Sequence, residues 1–149
     1  MGSLTWPQGA LAYIDTQSVI YTVEQHPVYA PLLDAFWQAV QAKAVRVATS
    51  ELTVMESLVG PLKRSDSALL TKFEQFFRAP DLQLVPIDRD ILRAAARLRA
   101  AASKLRTPDA IHAATAQVLS VSLFVTNDPD FRLVSNLPLV LLDDFRSAP

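Results

Sequence analysis

Thr107-Pro-Asp-Ala-Ile-His-Ala-Ala-Thr-Ala-Gln-Val-Leu119, followed three residues later by Ser122-Leu-Phe-Val-Thr126-Asn127-Asp128, is the stretch on which the fold turns. Threonine and proline at its start predict a helix from Thr107 to about Leu119. Thr107 is the expected cap, and Pro108 sits in the first turn, where a missing N–H costs nothing. Ser122–Thr126 is a short apolar run without alternation, the pattern of a strand covered on both faces. An acidic turn follows at once. Helix, buried strand, acid is the sense of a parallel α/β sheet, whose strand ends open on a crevice.

The rest of the chain repeats that alternation. Residues 10–15 read as a strand entered after Gly9, and a helix follows from about Thr16 to Glu24, broken by His26-Pro27. Residues 29–43 form a second helix, with Leu32, Leu33, Phe36, Trp37 and Val40 at helical spacing. Val45–Ala48 is a short strand. Thr49-Ser50-Glu51 then opens a helix capped by Ser or Thr. Its apolar stripe is Leu52, Met55, Leu58 and Val59, and Gly60-Pro61 loosens or ends it. Residues 66–78 give another helix, 82–87 a strand with Pro86 at its end. An alanine-rich helix runs from Asp88-Arg89 to about Lys104, and Leu137–Leu142 is the last strand. The expected fold class is α/β: a three-layer α/β/α sandwich around a central, mainly parallel sheet, in a single domain over residues 1–149.

Composition narrows the chemistry. At 149 residues, half of them hydrophobic, the chain can bury a real core. No apolar run approaches the roughly 20 residues that span a bilayer, and the N-terminus lacks a basic region followed by an apolar stretch, so no signal peptide is expected. Cysteine is absent, which removes disulfides, thiolate zinc sites and cysteine nucleophiles and fits a cytoplasmic setting. Three glycines are too few for a glycine-rich phosphate loop. The two histidines lack the His-Glu-x-x-His spacing of a zinc protease. The net charge of −1 is not that of a typical nucleic-acid binder. Basic residues gather locally, however, at Lys63-Arg64 and at Arg89, Arg93, Arg97, Arg99, Lys104 and Arg106, as a solvated helix face or a phosphate-facing one.

Four acids carry the functional signal: Asp15, Glu56, Asp109 and Asp128. Each has a plain structural explanation. Asp15 follows a strand and precedes a helix, so it reads equally as an N-cap. Glu56 lies inside a helix, where most glutamates face water. Asp109 in a first helical turn suits the macrodipole, and Asn127-Asp128-Pro129-Asp130 is ordinary turn composition. Together they say more, because the expected topology puts Asp15, Asp109 and Asp128 at strand-to-helix transitions. Glu56 joins them if its helix runs along the same mouth. Carboxylates in one crevice raise one another's pKa, and a hard cation relieves that cost through oxygen ligation. Asp128 directly follows its strand and is the choice for the fourth acid; Asp130 is the alternative.

With these segments in order, the chain resembles the PIN domain (PilT N-terminus) family, and within it the VapC-type toxin ribonucleases. The resemblance rests on Tyr13-Ile14-Asp15-Thr16, on Thr49-Ser50-Glu51-Leu52 with Glu56, on Leu105–Ala114 and on Val125–Phe131, spanning nearly the whole chain. It implies Mg²⁺- or Mn²⁺-dependent endoribonuclease activity and places the family's acidic quartet on Asp15, Glu56, Asp109 and Asp128. Thr126 matches the polar helper of the fourth motif. One departure is Gln17, where the family often has Asn. The resemblance also implies an RNA substrate, a homodimer mate and a cognate antitoxin.

His112, one turn after Asp109, reads foremost as a hydrogen-bonded structural residue, and Arg106 as the partner of a nearby acid. The helix bearing Trp37 carries a surplus of large apolar side chains, some of which are candidates for a partner surface. Two other function classes compete with the nuclease. A catalytically silent PIN-like module that binds RNA or protein would be favoured by the loss of an acid, and none is lost. A haloacid-dehalogenase-type phosphatase needs a second Asp two residues after the first, where Gln17 stands.

Overall fold

The computed structural model describes residues 3–146; the outermost residues of the expected 1–149 domain lie outside them. Five strands form one sheet: β1 (Leu11–Ile14), β2 (Arg46–Ser50), β3 (Leu82–Val85), β4 (Leu123–Thr126) and β5 (Leu139–Leu141). Every pairing is parallel, in the order β3-β2-β1-β4-β5. Among the described residues six α-helices cover it: α1 (Thr16–Val23), α2 (Tyr29–Gln41), α3 (Leu52–Lys63), α4 (Ser67–Phe77), α5 (Arg89–Ala101) and α6 (Thr107–Val118). The expected α/β/α fold is therefore the observed one.

Side-chain alternation along the strands divides the core in two. Ala12, Ile14, Val47 and Val125 point to one face, where they pack with Val19 of α1, Leu33 and Phe36 of α2, and Phe73 of α4. Tyr13, Ala48 and Phe124 point to the other, against Ile91 of α5 and Ala110, Ala113 and Ala114 of α6. The alanines bring α6 close to the sheet. β1 lies centrally, and the chain moves to β2 on one side of it and later to β4 on the other. The strand order therefore reverses between β1 and β4, and a crevice opens at their carboxyl ends.

Helix boundaries depart from expectation in several places: α2 ends at Gln41 and α5 at Ala101, two and three residues early, and three further departures have a local cause. Thr49 and Ser50 complete β2 rather than cap α3; Ser50 Oγ accepts the Leu52 N–H at 3.0 Å from just outside the helix. Arg106, extended at φ −75° and ψ 154°, is the N-cap of α6, so Thr107 is already helical. Gly60-Pro61 does not end α3, which continues to Lys63 with Pro61 buried inside it. Pro61 lacks the N–H that would donate to the Ser57 carbonyl, so α3 carries it at the loss of one hydrogen bond near its end.

The stripe of α3 is also turned. Thr53, Ser57 and Pro61 are its buried residues, while Met55, Val59 and Leu62 stand 57%, 40% and 59% exposed. Of the small polar groups that face inward, Thr53 shares a hydrogen bond with the Thr49 hydroxyl, while Ser57 Oγ is buried without a partner among the described residues. On α2, by contrast, Leu32 and Trp37 pack partly buried against the core. The apolar surplus expected near Trp37 thus lies on α3.

Candidate active site

The ends of β1 and β4 and the helices α3 and α6 deliver polar groups to the crevice, a cleft of about 510 Å³ whose lining includes Asp15, Glu56, Asp109 and Asp128. Asp15 follows β1 and caps α1, its Oδ1 accepting the Ser18 N–H at 3.0 Å. The cap and the cleft position are compatible because the carboxylate has a second oxygen. That oxygen accepts from the Thr126 hydroxyl at the end of β4. Thr126 Oγ1 also accepts the Asp128 N–H at 3.0 Å, tying the two acids together through one side chain. Asp128 Oδ1 in turn accepts the Asp130 N–H at 2.9 Å. Asp130 is exposed and its side chain takes no part in the lining.

Asp109 does not follow a strand as expected: α6 comes directly after α5, and Asp109 reaches the cleft from its first turn, where it pairs with Arg106, Nε to Oδ2 at 3.2 Å. Glu56 enters from α3. Its Oε1 accepts from Thr16 Oγ1 at 2.6 Å and from His112 Nε2 at 2.7 Å. His112 is buried, and its Nδ1 lies 2.6 Å from the Tyr13 hydroxyl. Thr16, Tyr13 and Asn127 were not singled out in sequence. Tyr13 and Thr16 flank Asp15, and only the tertiary contact with Glu56 and His112, some 40 and 96 residues from Thr16, makes them part of the site. Asn127 connects the cleft to the neighbouring loop, accepting the Asp143 N–H at 2.9 Å.

The electrostatics are uneven. Burial lifts the Asp15 carboxyl above its ordinary range against the pull of hydrogen bonds from Thr126 and Ser18. Burial also lifts Asp109, with Arg106 drawing it down and Asp128 pushing it up. For Glu56 burial acts in the same sense, but the hydrogen bonds from His112 and Thr16 outweigh it and hold the carboxyl below its usual range. Burial raises the Tyr13 phenol, which stays neutral at physiological pH. Among the described residues, no three His, Asp or Glu side chains are grouped to hold one metal ion as they stand.

A pH dependence follows. Asp15 and Asp109 sit above their unfolded values, so between the two values the folded chain holds more protons than the unfolded one. Their contribution is destabilising above the folded values and fades as pH falls through them. Glu56 acts oppositely: its stabilising contribution is present above its unfolded value and is lost as pH falls through its depressed folded one. In EDTA the melting temperature is expected to rise as pH is lowered from 7 toward the ordinary carboxylate range near about 4, then to turn down. Scanning calorimetry reads this; a melting temperature that only falls from pH 7 would remove the burial argument.

A sequence model of the PIN domain family matches residues 12–137. No curated protein sequence matches the chain. Among solved structures, a toxin–antitoxin complex from Klebsiella pneumoniae is 26% identical with a TM-score of 0.66, covering 88% of this chain and 97% of that one. VapBC2 from Rickettsia felis, bound to a DNA fragment of its promoter, is 18% identical with a TM-score of 0.73, covering 88% and 98%. VapC20 of Mycobacterium tuberculosis, a toxin that cleaves the sarcin-ricin loop, is 15% identical with a TM-score of 0.68, covering 85% and 97%.

Proposed function

The chain belongs to the PIN domain family, and on that premise we propose that it is a divalent-metal-dependent endoribonuclease, the toxin of a toxin–antitoxin pair. PIN domain proteins are generally nucleases. The reading rests on one observation: Asp15, Glu56, Asp109 and Asp128 line a single cleft at the carboxyl ends of parallel strands.

The donor set suits a hard cation such as Mg²⁺ or Mn²⁺. All four candidate ligands are carboxylates, and the burial that lifts Asp15 and Asp109 is a cost that positive charge offsets. Asp15 and Asp109 are the principal ligands in this reading. Glu56 and Asp128 serve a second ion, bind through water or orient the attacking water. When bound, such an ion makes water a nucleophile at neutral pH and offsets charge on the phosphoryl group. The chain's own residues do the rest. Thr126 fixes Asp15, and Arg106, whose side chain is 69% exposed at the cleft, supplies positive charge for a substrate phosphate.

The partners follow from likeness. The Klebsiella and Rickettsia relatives were solved as toxin–antitoxin assemblies, and a cognate antitoxin is proposed here. The exposed Met55, Val59 and Leu62 of α3 offer apolar surface to it or to a homodimer mate. Among the described residues no helix is long and apolar enough to cross a membrane, and the proposed setting is the cytoplasm.

A second reading, a silent PIN-like module that binds RNA or protein, is favoured by the lack of three grouped ligands among the described residues. One assay separates the two. Purified protein is incubated with total cellular RNA in Mg²⁺, in Mn²⁺ and in EDTA, beside Asp109→Asn. Discrete cleavage that needs metal and vanishes in the variant is the expected result. No cleavage together with no Mn²⁺ binding would leave the binding module.

A further inference from the structure

Hydrogen bonds join Tyr13, His112 and Glu56 in a chain. The Tyr13 ring is fully buried and stacks on Phe124, centroids 5.1 Å apart and planes 13° from parallel. Its hydroxyl accepts the Ser50 N–H at 3.1 Å, which fixes the oxygen at the end of β2. That hydroxyl lies 2.6 Å from His112 Nδ1; because the Glu56 carboxylate on the other ring nitrogen only accepts, the network assigns the imidazole proton to Nε2 and leaves Nδ1 to accept from Tyr13. Nε2 faces Glu56 Oε1 at 2.7 Å. Thr16 Oγ1 donates to the same oxygen at 2.6 Å. Glu56 Oε2 takes no hydrogen bond from any described residue, and Glu56 lines the cleft.

We propose that Tyr13 and His112 form a relay that positions Glu56, pinning Oε1 so that Oε2 is presented to the cleft. A glutamate on a half-exposed helical surface has three free torsions and would sample many rotamers. Two short hydrogen bonds to one oxygen remove that freedom before any ligand arrives, and preorganised groups bind with a smaller ordering cost. The relay also joins elements that share no sequence neighbourhood: β1 supplies Tyr13, α6 supplies His112, α3 supplies Glu56 and β2 holds the phenol. His112 is thus a positioning residue that acts through Glu56. The same α6 carries Asp109 one turn earlier, so the helix sets both acids. The inference rests on Glu56 serving the divalent ion in the reading above.

The test compares His112→Gln, His112→Leu and Tyr13→Phe with the wild type. Glutamine keeps one donor and one acceptor; leucine keeps bulk alone; Tyr13→Phe removes only the hydroxyl and guards against a His112 variant that fails to fold. Three properties are read: the ¹⁵N shifts that report the His112 tautomer, ¹³C relaxation at Glu56 Cγ without metal, and Mn²⁺ affinity by electron paramagnetic resonance. The expected wild-type pattern is a bare Nδ1, a protonated Nε2 and a rigid Glu56. His112→Leu should free Glu56 and weaken Mn²⁺ binding on the order of 10-fold or more, His112→Gln should restore most of both, and Tyr13→Phe should mix the tautomers. A folded His112→Leu with Glu56 still rigid, or a His112→Gln no better than leucine, overturns the relay. If the wild type binds no Mn²⁺ and cuts no RNA while Glu56 loses its rigidity in His112→Leu, the relay stands and the nuclease reading falls.

Discussion

Asp15→Asn is expected to fold, to melt above the metal-free wild type at neutral pH, and to lose RNA cleavage by more than about 100-fold, since even partners outside the ligand set change metal sites by 10–100-fold. The opposite signs have one cause. Asp15 is 4% exposed, and burial makes its ionised form costly. Asparagine is nearly isosteric, and its Oδ1 still accepts the Ser18 N–H that caps α1. Its amide donates to Thr126 Oγ1, which loses its acceptor but gains a donor. The variant therefore sheds a buried charge and, in exchange, leaves the buried Thr126 hydroxyl without its acceptor, and the lost charge is expected to be the larger effect. What it cannot do is attract a cation. Mn²⁺ at about 100 times its Kd adds about 2.7 kcal/mol to a protein that binds it at one site, so the wild type should gain melting temperature on Mn²⁺ addition and the variant should not. Thermal scans with and without Mn²⁺, beside the RNA assay, read all three properties. A variant that cuts RNA normally would remove Asp15 from the site.

The largest expected loss of stability comes from Phe36→Ala, at about 3–5 kcal/mol. Phe36 is fully buried on the inner face of α2. Its ring meets Trp6 edge-on at 6.0 Å and Trp37 at 5.1 Å, so truncation leaves a void bordered by rigid aromatic rings that cannot collapse into it. The core on this side is built from Leu33, Val40, Phe73 and Phe77 as well, and the opposite face, packed on α5 and α6, should be little affected. Urea unfolding followed by tryptophan fluorescence gives the change directly. A loss below about 1 kcal/mol would mean that the cavity closes.

These two residues illustrate what each kind of information carries. Phe36 is legible from periodicity: Leu33, Phe36 and Val40 recur at helical spacing, and burial of that stripe is what makes the segment a helix. The strands are legible for the same reason. Leu123-Phe124-Val125 is apolar on both faces, so it lies between layers; β4 is buried along its length, and Ser122, expected within the strand, is exposed just before it. Helix ends were less legible. Gln25, Lys43, Ser65 and Ser120 adopt positive φ just beyond α1, α2, α3 and α6. Glycine usually marks that position, and this chain closes those helices without it, so the local signal is missing.

The fold class, the family and the acid-bearing segments are legible in the chain as written, because strand and helix periodicities and short acidic motifs are local patterns. Contacts between distant segments make Asp15 both cap and cleft residue, bring Asp128 rather than Asp130 to the cleft, turn Met55 of α3 outward and set His112 on Glu56. Each of those depends on which atoms of distant segments meet when strand order reverses beside β1. Hydrogen-bond geometry and burial at a crevice are properties of that meeting, and no single segment contains them.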